Sequence, residues 1–151
     1  MTREELKSEL LLIYPTLTEE EGGEWLNLFV DSKDWHALAF ELKRNALFRF
    51  DYLFCLTCID WKTHLTMVYH LSSTEFRHTM VIKSKLDRNV PVIDSVVDIW
   101  KTADFHEREV FELFGVHFTD HPDLRKLILP DDWVGFPLRK DYEDPVNMIK
   151  L

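Results

Sequence analysis

Phe50-Asp-Tyr-Leu-Phe-Cys-Leu-Thr-Cys-Ile-Asp60 and, a few residues on, His64-Leu-Thr-Met-Val-Tyr-His-Leu-Ser72 are the runs whose reading decides the fold. Both are rich in β-branched and aromatic residues, and a third such run over 75–86 follows at once. Connections this short are hairpins, so the three strands form an antiparallel meander. In the second run Leu65, Met67, Tyr69 and Leu71 alternate with His64, Thr66, Val68 and His70, the pattern of one buried and one wetter face. The first run is apolar on both faces: Phe50, Tyr52, Phe54 and Leu56 on one, Leu53, Cys55 and Ile59 on the other. That predicts a central strand covered on both sides by helices.

Upstream, Thr2 and Glu5 have capping-box spacing, and the helix they open buries Leu6, Leu10 and Ile13 before Pro15. Residues 19–23 read as a loop and 25–30 as a strand. Asp31 or Ser32 then caps a second helix, with Trp35, Leu38, Ala39 and Leu42 at helical spacing and Asn45 as its stop. Downstream, a short helix is predicted around 94–100 and a clearer one over 104–114, where Asp104 and Glu107 repeat the capping-box spacing and Gly115 supplies a left-handed end. The fold class is therefore α+β: an antiparallel or mixed sheet of about four strands covered by helices. Residues 1–120 form one domain. Residues 121–151 form an extended C-terminal tail, since 116–151 hold four of the six prolines and few periodic apolar positions.

A chain of 151 residues has room for one core. Its 46% hydrophobic and 30% charged residues suit a folded protein. No apolar run approaches the roughly 18 residues of a membrane-spanning helix, and the opening Met1-Thr-Arg-Glu-Glu5 lacks the order of a secretory signal, so an intracellular location is expected. The net charge of −9 is concentrated in residues 1–34, where nine carboxylates face three cations, and nucleic acid is not expected as a partner.

Cys55 and Cys58 have C-x-x-C spacing, but on a strand positions i and i+3 point to opposite faces, so both are read as structural core cysteines. Two thiols do not make an iron–sulfur site. His106, His117 and His121 with Glu107 lack the i, i+4 histidine pair of a zinc-binding helix, which leaves no metal site expected. On the 104–114 helix Val110, Phe111, Leu113 and Phe114 make one apolar arc, and Glu107 lies inside it. Either the first-turn N–H groups satisfy that carboxylate or it reaches a cation in the tail or on another chain. Asp104, Arg108 and Glu112 share the far side and read as a surface network.

At this helix the sequence resembles a known family. Glu107-Arg-Glu-Val-Phe-Glu-Leu-Phe-Gly-Val-His-Phe-Thr-Asp-His121-Pro-Asp-Leu-Arg-Lys-Leu-Ile128, with Gly135-Phe-Pro-Leu-Arg-Lys-Asp-Tyr142, is similar to the signature of the C, or 30-kDa, subunit of respiratory NADH:quinone oxidoreductase. Phe136 stands where the family usually has histidine. The resemblance implies a structural subunit with no catalytic, cofactor-binding or metal-binding residue of its own, FMN, iron–sulfur clusters and quinone belonging to partner subunits. It implies packing against the D (49-kDa) subunit, near the B subunit, in a peripheral arm on the cytoplasmic side of a bacterial inner membrane. The signature and interface residues it marks are Glu107, Arg108, Glu109, Glu112, Gly115, His121, Pro122, Leu124, Arg125, Trp133, Arg139, Lys140, Asp141 and Tyr142. Family relatives serve ferredoxin-fed or F420-linked dehydrogenases and membrane-bound hydrogenases, which is the alternative assembly. The distant alternative is a small independent metalloenzyme built on His106, His117, His121 and Glu107. The tail itself, with Leu124, Leu127, Ile128, Leu129, Trp133, Phe136 and Leu138, has more apolar surface than it can bury alone, so it is expected to lie along a foreign protein.

Overall fold

The computed structural model describes residues 2–142; the end of the tail, 143–151, lies outside the described residues. Helix α1 (Arg3–Ile13) opens with the predicted reciprocal bonds between Thr2 and Glu5. It buries Leu6 and Leu10, whereas Ile13 is 39% exposed, because the last turn runs past the edge of the core. The 19–23 loop is corrected at its start: β1 (Thr18–Glu20) pairs antiparallel with β2 (Leu26–Phe29), and the bend follows at Gly22 and Gly23. Helix α2 (Trp35–Arg44) buries all four predicted residues and stops at Asn45. Its N-cap is Asp34, with no side-chain cap, rather than Asp31 or Ser32, because the Asp31 carboxylate is spent on the Lys33 N–H in the preceding turn.

The meander is present as β3 (Tyr52–Asp60), β4 (Leu65–Ser72) and β5 (Thr79–Leu86), antiparallel throughout. The main sheet has five strands in the order β1-β2-β5-β4-β3, with β2 running parallel to β5 across the α2 crossover. This corrects the expected centre of the sheet. β3 is an edge strand, and the continuously buried one is β4, whose residues 65–69 are all buried. β3 pairs with β4 alone, and a bulge between Leu53 and Cys55 inserts Phe54 and sets Leu53, Leu56 and Cys58 on one face. The even alternation that makes both faces of β3 look equally apolar is broken at that point. Helix α3 (Ala103–Phe114) packs against β3, covering an edge that would otherwise present unpaired backbone groups.

All three helices contribute apolar residues to one core with the sheet, Leu6 and Leu10 from α1, Trp35, Leu38 and Leu42 from α2, and Val110 and Phe114 from α3. At its middle Trp35 lies 4.5 Å from Tyr69 and 6.2 Å from Trp100, centroid to centroid. The predicted helix around 94–100 is instead β6 (Val92–Asp94) and a run of turns. Strand β6 pairs in parallel with β7 (His117–Thr119), and this small second sheet carries the chain to residue 120, where the tail departs. Cys55 and Cys58 are both free thiols, and burial pushes Cys58 up to about 12, so it is inert packing.

Candidate functional site, a clasp between helix and tail

Helix α3 is an amphipathic segment whose Arg108 and Glu112 side chains point at the tail. It ends at Gly115 in the left-handed region (φ 79°), which frees the following strand to turn back under the helix. The surface network expected of Asp104, Arg108 and Glu112 is not there. Arg108 and Glu112 are 8% and 1% exposed, and both are enclosed because the tail lies over them. The Arg108 guanidinium donates to the carbonyls of Arg125 and Lys126 at 3.1 and 3.3 Å. One turn on, the Glu112 carboxylate accepts from the successive N–H groups of Leu127, Ile128 and Leu129 at 2.5 to 3.4 Å. A cation grips carbonyls and an anion grips amides along one stretch of chain, so i, i+4 spacing on the helix reads five consecutive tail residues.

Glu107 is fully buried; the first-turn N–H groups do not hold it, and the basic group of the tail that comes near it is the His121 ring, at 4.0 Å. The Glu107 oxygens accept from Ser95 Oγ at 2.6 Å and from the Val96 N–H at 2.9 Å, groups of the turn after β6. Asp104 does not close a capping box with it; the N-cap is Thr102, whose hydroxyl donates to the Leu53 carbonyl instead. Burial pushes the Glu107 carboxyl up to about 7, against the lowering effect of the Ser95 and Val96 bonds, with Asp104 and Asp98 adding like charge. His121, whose side chain is also fully enclosed, brings Nε2 to 3.1 Å from Asp104 Oδ1 and 4.0 Å from Glu107 Oε1, and fastens the root of the tail.

The far end of the tail is held as firmly. The Leu138 N–H donates to the Leu113 carbonyl at 3.0 Å and Arg139 Nε to the Phe114 carbonyl at 2.6 Å, satisfying two helix-terminal acceptors. The Lys140 N–H donates to buried Asp60 at 2.8 Å, and Arg88 bridges Asp60 to Asp141. The Arg-Lys-Asp run is thus three successive fastenings. Phe136 lies with its ring over Gly115, where an added Cβ would meet ring carbons at 2.6 Å, and under the Arg139 guanidinium at 5.1 Å. Gly115→Ala is expected to lower stability by about 1–2 kcal/mol, a fall of roughly 5 °C in thermal midpoint, through the left-handed penalty and displacement of that ring.

Sequence reasoning misses Lys126, whose ammonium ties the carbonyls of Pro130, Asp131 and Trp133 into one loop, and it misses Asp60, Arg88 and Ser95. Nothing local to Asp60 distinguishes it, because its role depends on Lys140, 80 residues away. Of the remaining expected residues, Leu124 packs on the core and Tyr142 lies against Gly135, Trp133 is half-buried, and Glu109, Pro122 and Arg125 face solvent. From residue 120 to 142 the chain is a succession of turns and irregular backbone, and it lies along its own helix. Lifted outward on it are Ile128 (74% exposed), Val134 (87%) and Leu138 (53%). Among the described residues no group of three or more His, Cys, Asp or Glu is placed to hold a metal ion, and His106, His117 and His121 are not brought together.

The sequence family described as respiratory-chain NADH dehydrogenase, 30 Kd subunit, matches residues 28–146, which include every element of the clasp. The chain belongs to that family. The C subunit of the NADH-quinone oxidoreductase of Moorella thermoacetica is 40% identical over 136 residues, covering 89% of this chain and 90% of the relative. The joined C/D subunit of the Phocaeicola vulgatus enzyme is 47% identical over 103 residues, 67% of this chain but 20% of that protein. The C subunit of the F(420)H(2) dehydrogenase of Methanosarcina mazei is 42% identical over 136 residues, covering 86% and 85%. This chain spans from a fifth to about half of the length of the first curated relatives it matches. Among solved structures, a chain of the membrane-bound sulfane sulfur reductase, an archaeal respiratory membrane complex, superposes with a TM-score of 0.79 at 25% identity, covering 93% of this chain and 85% of the other. The trypsin-resistant fragment of Nqo5 superposes with a TM-score of 0.68 at 24% identity, over 82% of this chain and all of the fragment, and shares the fold. Among the described residues no helix is long and apolar enough to cross a membrane.

Proposed function

We propose that this chain is a scaffold subunit of the peripheral arm of a proton-translocating NADH:quinone oxidoreductase, holding neighbouring redox subunits in register and catalysing nothing itself. Its partners are the D and B subunits, on the cytoplasmic side of the bacterial membrane. FMN, iron–sulfur clusters and quinone sit on those and other partner chains. The observation that carries the reading is the clasp: a tail fixed by backbone-directed bonds to buried Arg108 and Glu112, with Ile128, Val134 and Leu138 turned outward. A pre-shaped apolar ridge loses little conformational entropy on docking, which is what a spacer between electron carriers requires. The joined C/D relative supports the D subunit as the nearest neighbour. Residues 121–151 act as the docking segment and 1–120 as its base.

The test is Ile128→Asp combined with Val134→Asp in a tagged copy purified from native membranes. Recovery of the D and B subunits with the tagged chain is expected to fall tenfold or more, while the thermal midpoint of the purified chain moves by no more than about 2 °C, as for other exposed substitutions. Undiminished recovery would reject the docking ridge. The F(420)H(2) dehydrogenase relative favours one second reading, the same scaffold fed by a different electron donor; the co-purified electron-input subunits decide it.

A further inference from the structure

Among the described residues neither Glu107 nor Asp104, the acids at the root of the tail, is paired with a Lys or Arg. Glu107 lies wholly inside the protein, and its hydrogen-bond donors among the described residues are neutral, the Ser95 hydroxyl and the Val96 N–H. The enclosed His121 ring stands between it and Asp104, with Nδ1 accepting from the Asp123 N–H at 2.9 Å. That bond occupies Nδ1 as an acceptor and leaves Nε2 to carry the proton toward Asp104, whose backbone carbonyl accepts at 3.4 Å and whose Oδ1 stands 3.1 Å away. Among the described residues the other titratable groups near the cluster are two acids, a histidine and a phenol. Asp98, in the turn after β6, is engaged by His36 of α2 at 2.9 Å; Asp94 ends β6; and Tyr69 of β4, buried with an unpartnered hydroxyl, is kept protonated by burial and by the Glu107 charge.

The geometry points to a proton-operated latch, in which uptake of one proton by Glu107, beside the His121 ring and Asp104, tightens the root of the docking tail on α3 and its loss loosens it. The direction follows from the charges. With Glu107 ionised, two carboxylates crowd one enclosed ring that offers them a single N–H; with Glu107 neutral, the approach of His121 to Asp104 stands alone and the like-charge repulsion is gone. The folded protein then holds a proton at pH values where the unfolded chain, at the ordinary 4.5, has released it, so the latch is fully firm below about pH 4.5 and is lost as pH rises through about 7. This inference deepens the docking reading and rests on it, since it assigns that tail its regulation.

The test is hydrogen exchange of the full chain at pH 6 and pH 8, corrected for intrinsic exchange rates, with protection at residues 95–97 and 121–124 as the readout. About tenfold more protection is expected at pH 6. Glu107→Gln keeps both neutral bonds, since its carbonyl accepts from Val96 and its amide donates to Ser95, and is expected to protect the two segments equally at both pH values. Asp104→Asn is expected to move the wild-type midpoint to higher pH if the His121 bond dominates the cluster, and to lower pH if like-charge repulsion does; the latch requires the second, and the first overturns it. Equal wild-type protection at both pH values, or a pH effect that survives in Glu107→Gln, also overturns it. None of these results bears on co-purification of the D and B subunits, so the latch and the docking ridge fail separately.

Discussion

Glu112→Ala is expected to raise amide exchange at Leu127, Ile128 and Leu129 by about a hundredfold while leaving the sheet amides of β4 unchanged. One side chain accepts from three consecutive N–H groups, so its removal strips every acceptor from that part of the tail at once. Hydrogen bonds to a charged acceptor are worth about 1.5–3 kcal/mol each, but once the tail lifts its amides regain water. The net loss is therefore about 3 kcal/mol, two decades in local opening. Arg108 loses nothing directly and continues to hold the carbonyls of Arg125 and Lys126, so the segment on the N-terminal side is expected to stay protected. Exchange measured residue by residue separates these outcomes. Unchanged protection at 127–129 would mean that packing, not the carboxylate, holds the tail. In the assembly the same variant loosens the ridge carrying Ile128, and recovery of partner subunits is expected to fall even though the core melts normally.

What α3 announces in its sequence and what it hides differ in physical kind. The apolar arc, the Gly115 stop and the hairpin meander are set by neighbours within a few residues, and local patterning shows all three. The parallel β2–β5 pairing is not local. It is continued by the Val30 N–H, which donates to the Lys83 carbonyl, and by the Ser84 hydroxyl, which donates to the Val30 carbonyl 54 residues away. Pattern alone puts β3 at the centre of the sheet, because apolar residues on both faces show that a strand is covered but not how many strands it pairs with. Helical spacing presents Arg108 and Glu112 as surface charges, since it shows only that two side chains share a face. What lies over that face is a segment of irregular backbone with no periodicity of its own. The family signature falls on the clasp, and where the resemblance implies a foreign partner for its residues, Arg108, Glu112, Arg139 and Lys140 find one within the chain. Glu107 is the one position where a carboxylate inside an apolar arc signals trouble in the sequence, and it is there that the structure buries an acid among neutral donors.

The second large effect lies at the other end of the clasp, in acid. Burial alone would raise the Asp60 carboxyl, but the Arg88 guanidinium and the N–H groups of Lys140 and Lys62 outweigh it and hold it at about 2, below its ordinary 3.8. A carboxyl lowered on folding binds fewer protons in the native state than in the unfolded one. Its contribution is thus fully present above about pH 4 and is lost as pH falls through 2. The difference corresponds to about 2 kcal/mol, and Asp60 is buried enough, at 3% exposed, for little of it to be screened. Asp60→Asn is expected to lower the stability read from urea melts at pH 7 by that amount, and the gap to the wild type is expected to close as the pH approaches 2. Arg88→Ala, which removes the other half of the pair, should follow a curve of the same shape, because each variant leaves the remaining partner unmatched in a nearly dry site. Lys140 and Asp141 depend on that pair for their position, so exchange at the Lys140 amide is expected to rise in both variants. A pH-independent gap between Asp60→Asn and the wild type would show that shape rather than charge fastens the tail to the β3–β4 hairpin.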